Sequence, residues 1–188
     1  MNPPTKGVTL ENVTIVQTGG QKLAAPADYD PKQLDPIAYL PKAVALAQKL
    51  YPDAKLTRFD FVPVRSNGLV DLTMTDAEGS YWFRSELHSK RPAGVPPNVP
   101  VERACMIYVE LEARRVTARI VTNDDCDDRL VRMPRCKLAD VWQQALGAGV
   151  PRDHVAKIAW LFDEKWFFDT DLAHRGDGEP ATFEDRCK

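Results

Sequence analysis

The stretch KLTRFDFVPVRSNGLVDLTMTDAEGSYWFRS, residues 55–85, decides the fold class. In its opening segment Phe59 and Phe61 alternate with Arg58 and Asp60, the period of two that gives a strand one apolar and one polar face. Ser66-Asn67-Gly68 is a turn signal, after which Val70, Leu72 and Met74 fall in step as a returning strand. A second turn, Asp76-Ala77-Glu78-Gly79, leads into SYWFRS. Strands joined by turns this short pair antiparallel, and alternation implies that one face is covered while the other is wet.

The same pattern recurs downstream. CMIYVEL places Cys105, Ile107, Val109 and Leu111 on one face, EARR makes the turn, and VTARIV returns with Val116, Ala118 and Ile120 inward. HVAKIAWLFDEKWFFDTD adds two strands meeting at DEK. Two helices accompany them. In DPIAYLPKAVALAQKLYPD, Asp35 caps, Pro36 takes the first helical position, Leu40, Val44, Ala47 and Tyr51 share a face, and Pro52 ends the helix. In CKLADVWQQALGAG, Leu138, Val141, Trp142, Ala145 and Leu146 have amphipathic spacing. The expectation is an α+β fold, an antiparallel sheet of about seven strands with two helices packed on one face. LYPDAKLTRFDF matches GVPRDHVAKIAW in rhythm, which suggests a repeated helix-plus-hairpin unit over 35–86 and 136–169. Around a single domain at 35–171, residues 1–34 read as an irregular arm or linker and 172–188 as a polar tail.

A chain of 188 residues, 44% apolar and 28% charged, can bury a substantial core. Its formal charge of −2 gives no global attraction to nucleic acid, and no apolar run is long enough to enter a membrane. The opening residues lack the pattern of a signal peptide, so an exported parent requires a signal or anchor outside them.

The four cysteines bear on compartment. Zinc sites favour close cysteine knuckles, and none exists; His88, His154 and His174 are scattered. A redox centre wants Cys-x-x-Cys at a helix start, which is also missing. The acidic run Asp124, Asp125, Asp127 and Asp128 lacks the spacing of a calcium loop. A structural staple from Cys126 to Cys136 across a polar, arginine-rich connection fits best, with Cys105 and Cys187 completing the set; two free thiols in a reducing cytoplasm is the alternative.

LPKAVALAQKLYPDAKLTRFDFVPVRSNGLVDLTMTDAEGSYWFRS, residues 40–85, resembles the small extracytoplasmic PepSY-type modules: an alanine-rich helix, a YPDA corner and an antiparallel hairpin. The later run from Cys126 to Phe168, C…MPRCKLADVWQQALGAGVP…AWLF…WFF, is similar to repeat-like regions of unknown function in exported or membrane-attached proteins of predatory and social bacteria. These resemblances imply an α+β, non-catalytic accessory module outside the cytoplasm, and carry over no catalytic residue.

Motifs for phosphate binding and for serine nucleophiles are absent, and His88 beside Ser85 and Glu86 is the one local group of catalytic residue types. No catalytic residue, metal ligand or cofactor is therefore expected. The expected function is non-enzymatic binding of a protein partner or envelope component in the periplasm or outside the cell; homodimer formation is compatible with it. The alternative is a small cytoplasmic enzyme or ligand-binding protein using a cleft between sheet and helices. Partner contacts are expected from the proline-rich loop, at Lys90, Arg91, Pro96 and Pro97, and from Trp82 and Trp166.

Overall fold

The computed structural model describes residues 9–10, 13–17, 21–96, 98–99, 101, 103–123, 126, 129–161, 163–170 and 180–187. The alternating segment Lys55–Val64 forms the longest strand, β4, numbered after three strands at the N-terminal end: β1 (Thr9–Leu10), β2 (Val13–Gln17) and β3 (Gln21–Pro26). It pairs antiparallel with β5 (Glu78–Arg84), which pairs with β6 (Arg103–Leu111), which pairs with β7 (Arg115–Asn123). On its other edge β4 receives β8 (Ala156–Trp160), followed by β9 (Lys165–Asp169) and β10 (Ala181–Glu184). The order is β1-β2-β3-β7-β6-β5-β4-β8-β9-β10, and every pairing is antiparallel.

The fold is α+β, as expected, and among the described residues the sheet has ten strands where about seven were expected. The extra strands lie in segments that read as arm and tail. Gln21–Pro26 pairs with β7, so the boundary at residue 34 does not hold. Ala181–Glu184 pairs with β9, so the polar tail ends inside the sheet. A strand was expected at 69–74, but Val70 makes only isolated bridges, to Leu34 and Val64. Asp71 explains this: its Oδ1 accepts from the Thr73 amide at 3.0 Å and the Thr73 hydroxyl at 2.6 Å, turning the chain out of register.

α1 (Pro36–Leu50) starts as its sequence dictates, with Asp35 Oδ1 accepting from Ile37 N at 3.0 Å and Ala38 N at 3.1 Å. A short helix, α2 (Glu86–Ser89), follows β5 and is capped by Ser85. At the start of α3 (Leu138–Gly147) Asp140 reaches back to the Lys137 amide at 2.9 Å. Both longer helices pack on the same sheet face. From α1, Tyr39 stacks on Tyr81, whose hydroxyl donates to Pro36 O at 2.7 Å. From α3, Trp142 meets Phe168 edge-on at 4.9 Å. Phe59, Phe61, Phe83, Ile107, Val109, Ile158, Trp160 and Trp166 fill the same core. Burying each large side chain there stabilises by roughly 1.5–3 kcal/mol before chain entropy is counted.

The two helix-plus-hairpin units, α1-β4-β5 and α3-β8-β9, lie on either side of the β4–β8 pairing, so the order β5-β4-β8-β9 is symmetric about it. The opposite sheet face carries no helix from either unit, and it presents the polar half of each alternation.

Candidate partner-binding face

Strand pairing fixes what stands side by side on that open face. Arg58 faces Trp82, Trp82 faces Tyr108, Tyr108 faces Arg119, and Arg119 faces Lys22, one residue from each of β4, β5, β6, β7 and β3. The four central side chains touch in series. The Arg58 guanidinium lies 4.5 Å from the Trp82 ring, Trp82 and Tyr108 centroids are 4.5 Å apart, and the Arg119 guanidinium sits 5.0 Å from Tyr108. At about 4.8 Å per strand the ladder spans about 14 Å. Each cation–ring contact stabilises by about 0.5–1 kcal/mol, and together they hold four long side chains in fixed positions.

Two residues along each strand runs a second row: Ala159, Asp60, Ser80, Glu110, Thr117 and Ala24. Ser80, Thr117 and Ala159 are each only 3% exposed, because taller neighbours flank short side chains. The open face is therefore a cationic, aromatic ridge beside an acidic groove. Burial raises the Asp60 carboxyl above its ordinary range, against the pull of Lys157, Arg58 and the Ser80 hydroxyl, which donates at 3.3 Å. Burial likewise raises the Tyr108 hydroxyl. The Thr117 hydroxyl lies in the groove with no hydrogen-bond partner among the described residues.

One of the two disulfides supports this ridge. Cys105 and Cys126 are bonded and fully buried with Met106, and Trp82 and Val121 pack against them. The second disulfide joins Cys136 to Cys187. Oxidised cysteines were expected, but the pairing differs from both expected pairs, Cys126–Cys136 and Cys105–Cys187. A register irregularity between Arg103 and Met106 turns Cys105 away from the main core into a cluster at the open face. Cys126 follows β7, the antiparallel neighbour of β6, and so returns beside it. Cys136, at the entrance to α3, belongs to the main core and meets the chain end instead.

Of the expected partner contacts, Trp82 is half-buried on the ridge. Trp166 is fully buried, its indole nitrogen donating to Asp185 at 3.2 Å; with Phe168 it occupies the inward positions of β9, so it presents nothing to a partner. Lys90 and Pro96 are exposed. Arg91 is committed to its own loop, donating to the carbonyls of Val95, Pro96 and Val99. Pro97 lies outside the described residues, as do Asp124, Asp125, Asp127, Asp128 and His174. The single-sequence reading missed Tyr108, Arg58 and Arg119 as a group. Their signal was present: each is a polar or aromatic residue at an outward position of an alternating strand.

His88 does meet Ser85, and Asp53 joins them from the corner after α1. The Ser85 hydroxyl donates to Asp53 Oδ1 at 2.7 Å, lies 2.9 Å from His88 Nδ1, and accepts from the His88 amide at 3.2 Å. This is not a nucleophile's setting. Asp53 binds the serine rather than the histidine, Ser85 is fully buried, and its oxygen is engaged as a helix cap. Burial alone would raise the Asp53 carboxyl; the Leu87 amide and the Ser85 hydroxyl outweigh it and hold the group below the ordinary range.

Between α1 and β3 runs a groove of about 510 Å³, lined by alanines, Leu46 and Val116 with Lys42, Lys49 and Asp28 at its rim. Asp28 and Lys42 pair across it at 2.7 Å. Among the described residues one cluster has metal-ligand composition, Cys136, Asp185 and Cys187, but its sulfurs are bonded to each other and cannot ligate as thiolates. Among the described residues no helix is long and apolar enough to cross a membrane. Comparison with family models, with curated proteins and with solved structures finds no match for this chain.

Proposed function

We propose that this chain is a non-enzymatic extracytoplasmic binding module that receives a protein partner on the open face of its sheet. The observation that carries this reading is the Arg58–Trp82–Tyr108–Arg119 ladder. Trp, Tyr and Arg are the residue types that dominate binding energy at protein interfaces. Their mutual contacts restrict their rotamers before docking, which lowers the entropy lost on binding. Two disulfides fit an oxidising compartment, in which such bonds form and persist. The resemblance of residues 40–85 to PepSY-type modules supports the same compartment and the same absence of chemistry.

The test is position-specific photo-crosslinking in the native host. A photoreactive residue at Tyr108 yields a discrete protein adduct in the envelope or secreted fraction, while one at Ala45, on the helix side, yields none. Equal labelling at the two positions, or no adduct at Tyr108, contradicts the reading.

A further inference from the structure

The ridge and the groove of the open face are complementary to each other, and from this we infer that the partner received there is a second copy of the same chain. The inference rests on the binding reading above and names its occupant.

The geometry follows from strand register alone. Ridge and groove residues on one strand are two positions apart: Arg58 and Asp60 on β4, Trp82 and Ser80 on β5, Tyr108 and Glu110 on β6, Arg119 and Thr117 on β7. Take a twofold axis lying in the interface, perpendicular to the strands and midway between the rows. Each strand then crosses over its own copy, and the ridge of one chain falls into the groove of the other. Arg58 meets the partner copy's carboxylate at position 60. Trp82, the tallest residue, lies over the small side chain at position 80. The Tyr108 hydroxyl donates to the carboxylate at position 110. Arg119 donates to the hydroxyl at position 117, the buried oxygen that has no partner among the described residues of one chain. All four contacts occur twice.

The complementarity is electrostatic as well as steric. The ridge contributes Lys22, Arg58 and Arg119, and the groove contributes Asp60 and Glu110. Lys157 stands on β8 next to the groove and already acts on Asp60. A uniformly acidic partner would satisfy the ridge but bring carboxylates against Asp60 and Glu110. A saccharide would find the ring faces of Trp82 and Tyr108 already covered by guanidinium groups. An occupant with the same two stripes, inverted, satisfies both rows.

Sedimentation velocity on the disulfide-intact chain, over a concentration series at low and high salt, tests this. The wild type shows a monomer–dimer equilibrium that weakens with salt. Arg58→Asp weakens the dimer by on the order of a hundredfold, because a carboxylate then faces Asp60 across the interface. The swapped chain, Arg58→Asp with Asp60→Arg, regains association to within about tenfold of wild type. Asp60 is partly buried, so a second variant guards against misfolding: Arg119 is exposed, and Arg119→Asp weakens association by about tenfold with an unchanged far-ultraviolet spectrum and a cooperative thermal transition. A wild type that is monomeric at every concentration overturns the inference, as does a dimer indifferent to Arg58 and Arg119. A monomer whose Trp82 fluorescence responds to poly-L-glutamate also overturns it, in favour of an acidic partner. The two readings fail separately: crosslinks from Tyr108 to a different protein defeat the dimer and leave the binding face standing, whereas no crosslink of any kind defeats both.

Discussion

The indole nitrogen of Trp166, on β9, donates to the Asp185 carboxylate just beyond β10 at 3.2 Å. Asp185 also accepts from the Arg135 amide at 2.9 Å and the Cys136 amide at 3.0 Å, and the Arg132 guanidinium lies 3.4 Å away. One carboxylate thus ties the end of the chain to the connection ahead of α3, beside the Cys136–Cys187 bond.

Burial alone would raise the Asp185 carboxyl; the amides of Cys136 and Arg135, the Trp166 indole and Arg132 outweigh it and hold the group below the ordinary aspartate range. A folded-state value below the unfolded one contributes stability that is full above the ordinary range and is lost as pH falls from that range through the lowered folded-state value. Asp185→Ala should cost about 3 kcal/mol near neutral pH, because buried donors lose their acceptor. Asp185→Asn should cost less and flatten the acid limb of the stability curve. Urea titrations between neutral and acid pH read both effects; an unchanged acid limb in Asp185→Asn contradicts the assignment.

The two disulfides should differ in accessibility. Cys105 and Cys126 are both fully buried, whereas Cys187 is exposed. Mild reduction followed by alkylation and peptide mapping should label Cys136 and Cys187 well before Cys105 and Cys126. The bonds close separations of 21 and 51 residues, each contributing about 3–4 kcal/mol on the chain-entropy account. Simultaneous labelling of all four cysteines would show that reduction proceeds only through global unfolding.

Gly68 has φ +80°, and a Cβ there would lie 2.4 Å from the backbone nitrogen of Ala139 in α3. Both the left-handed conformation and the close approach require glycine. Gly68→Ala should cost about 3 kcal/mol, from strain plus displacement of the helix start. Thermal unfolding measures this, and a loss below about 1 kcal/mol would mean that the turn and α3 separate freely.

Ser85 should behave as a cap and not as a nucleophile. Ser85→Ala should lower stability by about 1–2 kcal/mol, and a fluorophosphonate probe should leave the wild-type protein unlabelled. Stoichiometric labelling at Ser85 would revive an enzymatic reading.

Much of the architecture was legible because alternation is a local signal. Arg58-Phe59-Asp60-Phe61 states which residues face the helices and which face out, and the structure keeps that division along β4. Asp35 and Pro36 likewise announce the start of α1. What failed depends on distant partners. Gln21–Pro26 is a strand because β7 offers it an edge, not because its own residues alternate strongly. The 69–74 segment has the right alternation, but Asp71 captures local donors and defeats it. In the run Trp166-Phe167-Phe168 every residue is aromatic, so composition alone cannot say that Trp166 points inward. The ladder is cross-strand by nature: its members are 11 to 26 residues apart in sequence and adjacent only once register is known. Disulfide connectivity has the same character, since four cysteines allow three pairings and only the fold selects one.

In its native setting the open face should be covered by protein. Hydroxyl-radical footprinting tests it, comparing the purified chain at high dilution with the same chain in freshly isolated envelope or secretions. Oxidation of Trp82 and Tyr108 should fall sharply in the native setting, while exposed Leu87 and Met133 react equally in both and buried Trp142, Trp160 and Trp166 in neither. Equal oxidation of Trp82 and Tyr108 in the two samples would mean that nothing covers the open face.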